Sequence, residues 1–365
     1  MTCDEILSFA FKVGASDVHL VTKSAPALRL HGDLLPLDAP EWKGKLDTGD
    51  IASAGPLSPE DTDRMAREIM TPGQYQKFQQ VGELDFSYFI PDVCRFRVNV
   101  FKQRGSVSIA IRLINSTILS FQQLGLPDVL ATLSRKPRGL VLVTGPTGSG
   151  KSTTLAAMID LINRESRHHI LTLEDPIEFV HEHKKCIVSQ REVGQDTGSF
   201  ANALRAALRE DPDVILVGEM RDPETIGIAI TAAETGHLVF GTLHTSSASQ
   251  TIDRIIDVFP SHQQQQIRVQ LSSTIQGVVA QTLIPRIDRV GRVVAVEIMV
   301  ANHAIRNLIR EGKTYQIISQ LQTCSRQGMQ SLDTALRLLC QKKIISIEEA
   351  LTRAADPEAL SKMLN

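Results

Sequence analysis

The chain has 365 residues, of which 42% are hydrophobic and 22% charged, and its formal net charge at pH 7 is −2. This length suggests two domains, and the hydrophobic content is sufficient for each to bury a core. A net charge so close to zero gives no overall field that would draw the protein to nucleic acid or anionic lipid, although it leaves room for a local basic patch.

The cysteines and the N-terminus predict a cytoplasmic protein. Asp4 and Glu5 make the first residues acidic where a signal peptide would be basic, and no stretch approaches the roughly 18 consecutive apolar residues of a membrane span. The cysteines form no C-x-x-C pair, which favours reduced thiols over a zinc site or a disulfide framework. They are Cys3, Cys94, Cys186, Cys324 and Cys340.

The first part of the chain, residues 1–116, is predicted to be a mixed α/β domain. Ser58 is a candidate N-cap for a helix at 59–70, and a second helix is expected at 73–80. Residues 40–56 contain three glycines and little apolar periodicity, so we expect an exposed loop insertion there. Apolar or alternating segments predict strands at 18–21, 27–30, 84–89, 95–101 and 107–113.

The following part, residues 117–300, has the pattern of a doubly wound α/β domain. Short apolar runs without charge are typical of parallel strands buried on both faces, and helical segments separate them. Residues 301–365 are predicted to be a helical C-terminal region. The predicted strands are 140–143, 170–173, 214–217 and 238–242, with helices at 151–164, 200–210 and 223–235, then at 304–311, 330–341, 347–354 and 357–364.

Residues 145–152, here called the phosphate loop, match the pattern G-x-x-x-x-G-K-[ST] between a predicted strand and a predicted helix. The glycines let successive backbone N–H groups point at a β-phosphate, and the following helix N-terminus adds its positive end. Lys151 is expected to neutralise β- and γ-phosphate oxygens, and the Ser152 hydroxyl to bind Mg²⁺. The predicted ATP·Mg²⁺ site comprises Gly145, Pro146, Thr147, Gly148, Ser149, Gly150, Lys151, Ser152 and Thr153.

Carboxylates and histidines flank the strands that follow this loop. Glu174 and Asp175 end one strand and Glu219 ends another, and each alone could be a solvated loop charge. Because parallel strands bring their C-terminal ends to one edge, two such strands after a phosphate loop favour a hydrolytic site. His237 and His244 flank the strand at 238–242, and we predict that both sense the γ-phosphate.

These segments resemble, in order and spacing, the secretion ATPase superfamily of type II secretion and type IV pili. The resemblance rests on the phosphate loop, on Glu174-Asp175-Pro176, and on the segments 213–219 and 235–245. Within the superfamily, the segments 14–20 (GASDVHL) and 304–313 (AIRNLIREGK) resemble the pilus retraction ATPases. Assembly and secretion ATPases usually carry an additional N-terminal domain and a tetracysteine zinc element, which this sequence does not contain.

The resemblance implies a PAS-like α+β N-terminal domain followed by a RecA-like P-loop NTPase domain, assembled as a ring-shaped homohexamer. Glu174 would be the general base, Glu219 would act on Mg²⁺ through water, and His237 and His244 would contact the γ-phosphate. Arginines of the N-terminal domain would close over the phosphates, although each could instead be a solvated side chain on an alternating strand. The candidates are Arg97 and Arg112, then Arg104.

The implied function is ATP-driven pilus retraction in twitching motility. The partners would be an inner-membrane pilus platform protein and a paralogous accessory retraction ATPase, with no nucleic acid. The segment 304–311 would couple the ATPase to its partner, but it can equally be an amphipathic surface helix. In that helix Ala304, Ile305, Leu308 and Ile309 would form the buried stripe, with Arg306, Asn307, Arg310 and Glu311 outside it.

Three alternatives stay open. The chain could be an accessory retraction ATPase or a pilus assembly or secretion ATPase of the same fold. It could be a RecA-like motor that translocates nucleic acid, although aromatic residues make up only 4% of the chain. It could also be a scaffold that binds nucleotide without turnover, in which case Glu174→Gln would not change the rate of ATP hydrolysis.

Overall fold

The computed structural model describes residues 1–30, 32–39, 42, 55–114, 117–288 and 291–364. The chain divides into two compact units, Met1–Thr117 and Ile118–Asn365. Most of the loop insertion predicted at 40–56 lies outside the described residues; Trp42, Gly55 and Pro56 lie within them. Within the described ranges, no helix has the length and apolar character needed to cross a membrane.

The N-terminal unit is a six-stranded antiparallel sheet in the order β3-β2-β1-β6-β5-β4, with three helices packed on it. Each helix begins with a capping box, in which a Ser or Thr side chain and the third helical residue satisfy backbone N–H groups. The elements are α1 (Cys3–Lys12), β1 (Asp17–Leu20), β2 (Ala27–Leu30), β3 (Asp33–Pro36), α2 (Pro59–Ile69), α3 (Pro72–Val81), β4 (Glu83–Ile90), β5 (Cys94–Gln103) and β6 (Ser106–Ile114).

The second unit is built on a seven-stranded sheet in the order β13-β12-β7-β11-β10-β8-β9, parallel except for β13. Its first elements are α4 (Phe121–Leu124), α5 (Val129–Ser134), β7 (Gly139–Thr144), α6 (Lys151–Glu165), β8 (His169–Glu174), β9 (Ile187–Glu192), α7 (Phe200–Ala207), β10 (Val214–Val217), α8 (Pro223–Glu234) and β11 (Leu238–Leu243). Then come α9 (Ala248–Asp257), α10 (Ser261–Thr274), β12 (Ile275–Pro285), β13 (Arg292–Val300), α11 (His303–Arg310), α12 (Ile317–Thr323), α13 (Leu332–Gln341), α14 (Ile347–Arg353) and α15 (Pro357–Leu364).

The interior strand β7 shows why the sheet is covered on both faces. All its residues are buried, and alternate side chains enter different cores. Leu140 and Leu142 join a core with α7, α8 and α9, whereas Val141 and Val143 join one with α5 and α6. The predicted doubly wound α/β fold is therefore confirmed, with more strands than the sequence pattern indicated.

Candidate nucleotide site

The phosphate loop connects β7 to α6 at the C-terminal edge of the parallel strands. Gly145 has φ +140°, and a Cβ there would lie 2.3 Å from the backbone oxygen of Gln281 and 2.6 Å from Ser149 Oγ. Gln281 Nε2, on β12, donates to the Ser149 carbonyl at 2.8 Å. The loop therefore needs glycine at position 145, and the neighbouring strand β12 supports it from the side.

Lys151 is the first residue of α6, so its ammonium group and the helix N-terminus lie together. Its Nζ donates to the carbonyls of Gly145 at 2.8 Å and Pro146 at 3.1 Å. Burial lowers the pKa of Lys151, and Glu219 and Glu178 oppose that shift. The arrangement is a cationic turn suited to polyphosphate, with Ser152 and Thr153 in the same first helical turn.

The two predicted carboxylates lie on adjacent strand ends at this edge. Strands β8 and β10 pair in register up to Leu173 and Val217, and the N–H of Gly218 donates to the Leu173 carbonyl at 2.7 Å. Glu174 directly follows Leu173, and Glu219 follows Val217 after Gly218. Strand β10 is the second strand from β7 and β8 is the third, so their distances from β7 across the sheet are about 10 Å and about 14 Å. The sheet thus brings both carboxylates to the edge that carries the phosphate loop.

The two carboxyl groups differ in their electrostatic environment. Burial raises the pKa of Glu174 to about 7, against hydrogen bonds from Thr172, Gln190 and the backbone of Glu178. Burial alone would also raise the pKa of Glu219, but hydrogen bonds from Arg221 and His244 lower it. A pKa near neutrality suits a general base, whereas an ionised carboxylate suits a magnesium ligand.

His244 lies beside Glu219 at the edge of the sheet that carries the phosphate loop. It follows β11, and its Nε2 donates to Glu219 Oε1 at 2.7 Å. Arg221 forms an ion pair with the same oxygen, which the sequence did not predict. A cleft of about 400 Å³ beside Glu219 is lined by Asp175, Arg221 and residues of the α7 and α8 N-termini.

The structure corrects the predicted place of His237. This residue precedes β11, so it lies at the N-terminal edge of the sheet, about 23 Å along the strand from His244. Its Nδ1–H donates to the Ala232 carbonyl at 2.9 Å, and it lines a cavity of about 660 Å³ at that edge. The prediction that His237 contacts a γ-phosphate is therefore wrong for a nucleotide held by this phosphate loop.

The three candidate arginines lie in the N-terminal unit. Arg97 on β5 is directly opposite Arg112 on β6, and Arg112 Nε donates to Asp17 Oδ1 at 2.9 Å. Arg104 lies in the β5–β6 turn with φ +50°, seven residues and about 23 Å along the strand from Arg97. Arg97 and Arg112 can thus act on one group together, whereas Arg104 is remote from that pair within the unit.

The segment 304–311 forms most of α11, but its faces differ from the prediction. Ile305 and Ile309 are fully buried, whereas Ala304, predicted on the buried stripe, is exposed. Arg306, predicted outside the stripe, is half-buried, and its Nη1 donates to the carbonyls of Ser272 at 2.7 Å and Ser273 at 2.8 Å. Arg306 therefore caps the C-terminus of α10. The exposed part of the segment comprises Ala304, Asn307, Arg310 and Glu311.

The residues present fit the predicted Mg²⁺. Among the described residues, no three His, Cys, Asp or Glu side chains are grouped to hold a metal. Mg²⁺ in nucleotide sites is usually held by one or two protein oxygens together with phosphates and water. Ser152 in the first turn of α6 and the ionised Glu219 supply that kind of donor set.

Comparison with known proteins gives a consistent result. Residues 82–290 match the family described as Type II/IV secretion system protein. The type IV pilus retraction ATPase PilT of Pseudomonas aeruginosa is 51% identical over 98% of this chain and 99% of its own length. The type IV pilus ATPase PilU of the same species is 37% identical over 100% and 91%. A crystal structure of the pilus retraction motor PilT with bound ADP has a TM-score of 0.90 at 49% identity and covers all of both chains.

Proposed function

Because this chain belongs to the Type II/IV secretion system protein family and, within it, to the type IV pilus retraction ATPases, we propose that it is the motor that retracts the pilus in twitching motility. The chain is an ATP hydrolase. The observation that carries the proposal is 51% identity to PilT along nearly the whole chain. The lower identity to PilU, 37%, favours the primary motor over the accessory one.

In the proposed reaction, ATP lies with its phosphates against Lys151 and the N–H groups of the phosphate loop. Glu174 accepts a proton from the attacking water, whose oxygen bonds to the γ-phosphorus while the bond to the β–γ bridging oxygen breaks. Ser152 directly and Glu219 through water would hold Mg²⁺, which neutralises charge on the phosphate oxygens. His244, already bonded to Glu219, would contact the γ-phosphate and report its departure.

The finer proposals concern assembly and location. The motor would be a cytoplasmic homohexamer at the pilus base, associated with the inner membrane through the platform protein and working with a paralogous ATPase. Arg97 and Arg112, which face each other across β5 and β6, would place two guanidinium groups on the transition-state charge. We expect no nucleic acid partner.

Contacts through α9 support a coupling role for the segment 304–311. Near the N-terminus of α9, the hydroxyls of Thr245 and Thr251 are 2.7 Å apart, and Thr245 directly follows His244. Farther along α9, Asp253 accepts a hydrogen bond from Thr314, just beyond the segment, at 2.7 Å. The helix thus connects the residue that follows His244, the proposed γ-phosphate contact, to the chain just beyond the segment proposed to contact the partner.

The proposal is tested by purifying Glu174→Gln and measuring ATP binding and steady-state hydrolysis. We expect ATP affinity near that of the parent and a fall in kcat of at least about 10²-fold. In cells, deletion of the protein should leave pili but abolish twitching, and only the parent should restore it. Hydrolysis by the variant at the parental rate would remove Glu174 as the base. Loss of pili on deletion would indicate an assembly ATPase, and stimulation by DNA would indicate a nucleic acid motor.

A further inference from the structure

Two side chains not used in the proposed reaction hold the carboxylate of Glu174. Thr172 Oγ1 donates to Glu174 Oε1 at 2.7 Å, and Gln190 Nε2 donates to the same oxygen at 3.2 Å. Alternation along β8 puts Thr172 and Glu174 on one face, and parallel pairing with β9 places Gln190 opposite Thr172. The three side chains therefore form a cluster fixed by sheet register.

The orientation of the Gln190 amide follows from its other partners. Its Oε1 accepts the backbone N–H of His181 at 2.7 Å, and its Nε2 donates to the Phe179 carbonyl at 2.8 Å. A backbone N–H can only donate and a carbonyl can only accept, so the opposite amide orientation would break both contacts. The NH₂ group must therefore face Glu174, and Gln190 ties the carboxylate to the chain at 179–181.

The contact from Thr172 is equally determined. A carboxylate accepts, so the hydroxyl must donate to it, and Thr172 is fully buried within β8. Hydrogen bonds to a charged acceptor in a buried setting are stronger than bonds between neutral groups. Both donors therefore stabilise the ionised form of Glu174 in one rotamer.

We propose that Thr172 and Gln190 are positioning residues of the ATPase reaction, which orient the Glu174 carboxylate and keep it ionised to accept the proton of the attacking water. They would act through Glu174 without touching ATP. The inference rests on the proposed role of Glu174 as the base.

The electrostatics around Glu174 give the direction of the effect. Burial raises its pKa, the negative charge of Glu178 adds to the rise, and the hydrogen bonds oppose it. Two more carboxyl groups lie nearby along the sheet: Glu192 is opposite Glu174 on β9, and Glu219 follows β10 after Gly218. If one donor is removed, fewer hydrogen bonds oppose the effect of burial on the pKa of Glu174, so that pKa would rise further.

Thr172→Val tests the proposal with little change of shape, and Thr172→Ser is the matched control that retains the hydroxyl. The measurement is steady-state ATP hydrolysis with saturating ATP and Mg²⁺ across the pH range from acid to alkaline. For Thr172→Val we expect the acid limb of kcat to move up by about one pH unit, so that kcat falls about tenfold at pH 6 and recovers toward the parent at pH 9. KM for ATP should stay unchanged, and Thr172→Ser should retain the parental profile.

Gln190→Glu is the second variant, because it keeps an acceptor for the His181 N–H but places a carboxylate where the donor was. It should move the acid limb in the same direction, and it tests the proposal even if Thr172→Val does not fold.

Parental profiles in both variants, or a pH-independent loss of kcat, would overturn the positioning role. A higher kcat would also overturn it, because the two contacts would then restrain Glu174. If Glu174→Gln hydrolyses ATP normally, the base assignment fails; if it is inactive while both variants behave as the parent, only the positioning role fails.

Discussion

Replacement of Arg306 by alanine should destabilise the second unit although the residue belongs to the segment proposed to contact a partner. The change removes two hydrogen bonds from a guanidinium group to the C-terminal carbonyls of α10. Burial also lowers the pKa of Arg306, which indicates how far the group is withdrawn from water. Bonds from charged groups are worth about 1.5–3 kcal/mol each, but water can replace part of the loss at exposed Ser273, so we expect about 2–3 kcal/mol in total.

The matched control is Arg310→Ala on the same helix. Arg310 is exposed, and its Nη1 donates to Asn307 Oδ1 at 3.2 Å, so its loss should cost at most about 0.5 kcal/mol. Thermal unfolding followed by circular dichroism should show the midpoint of Arg306→Ala lowered by about 5–10 °C relative to this control. The single tryptophan, Trp42, is buried in the N-terminal unit, so its fluorescence follows the unfolding of that unit and not of the second unit. Equal midpoints for the two variants would refute the capping role of Arg306.

Three further outcomes follow from the site and its support. Gly145→Ala should abolish ADP binding measured by calorimetry, whereas Gly198→Ala, where a Cβ would meet nothing within 4 Å, should not. Burial alone would raise the pKa of Asp160 on α6, but hydrogen bonds from Lys184 and Arg164 hold that pKa below its usual range. Asp160→Asn should therefore lose stability at pH 7, and urea titrations should show that difference shrinking as the pH falls below about 4, where the carboxylate of the unfolded chain becomes protonated. His244→Ala should slow hydrolysis, whereas His237→Ala should leave the affinity for ADP within about twofold of the parent; a large loss of affinity in the second variant would contradict its place at the far edge of the sheet.

Sequence patterns predicted which residues lie at the phosphate-loop edge of the sheet, because the signals for that edge are local. A loop with this glycine and lysine pattern between an apolar run and a helix is typical of a phosphate-binding loop. If the strands that end at Glu174 and just before Glu219 are parallel, both residues lie at the same edge of the sheet. The direction of a parallel strand also determines the position of His237. A residue that precedes a parallel strand lies at the opposite edge, and strand direction alone would have shown it.

Other parts of the fold gave no comparable signal. Helix α10 ends at Thr274 and β12 begins at Ile275, so no glycine or proline separates them. The sequence therefore gives no signal for the change from helix to strand at this point. Strand β9 has the sequence IVSQRE, which contains only two apolar residues and no alternation, and it lies at the edge of its sheet. The role of Arg306 depends on carbonyls of a helix more than 30 residues away, and no pattern within α11 reports that contact.

The edge position of β9 determines which groups its outer backbone N–H groups bind. This strand pairs with β8 on one side and ends the sheet on the other, where the backbone N–H groups of Val188 and Glu192 donate to His183 Nδ1 at 3.1 Å and to Asp196 Oδ2 at 2.8 Å. Gln190 lies between Val188 and Glu192, so the local contacts that close the border of the sheet also hold the strand that carries this partner of Glu174.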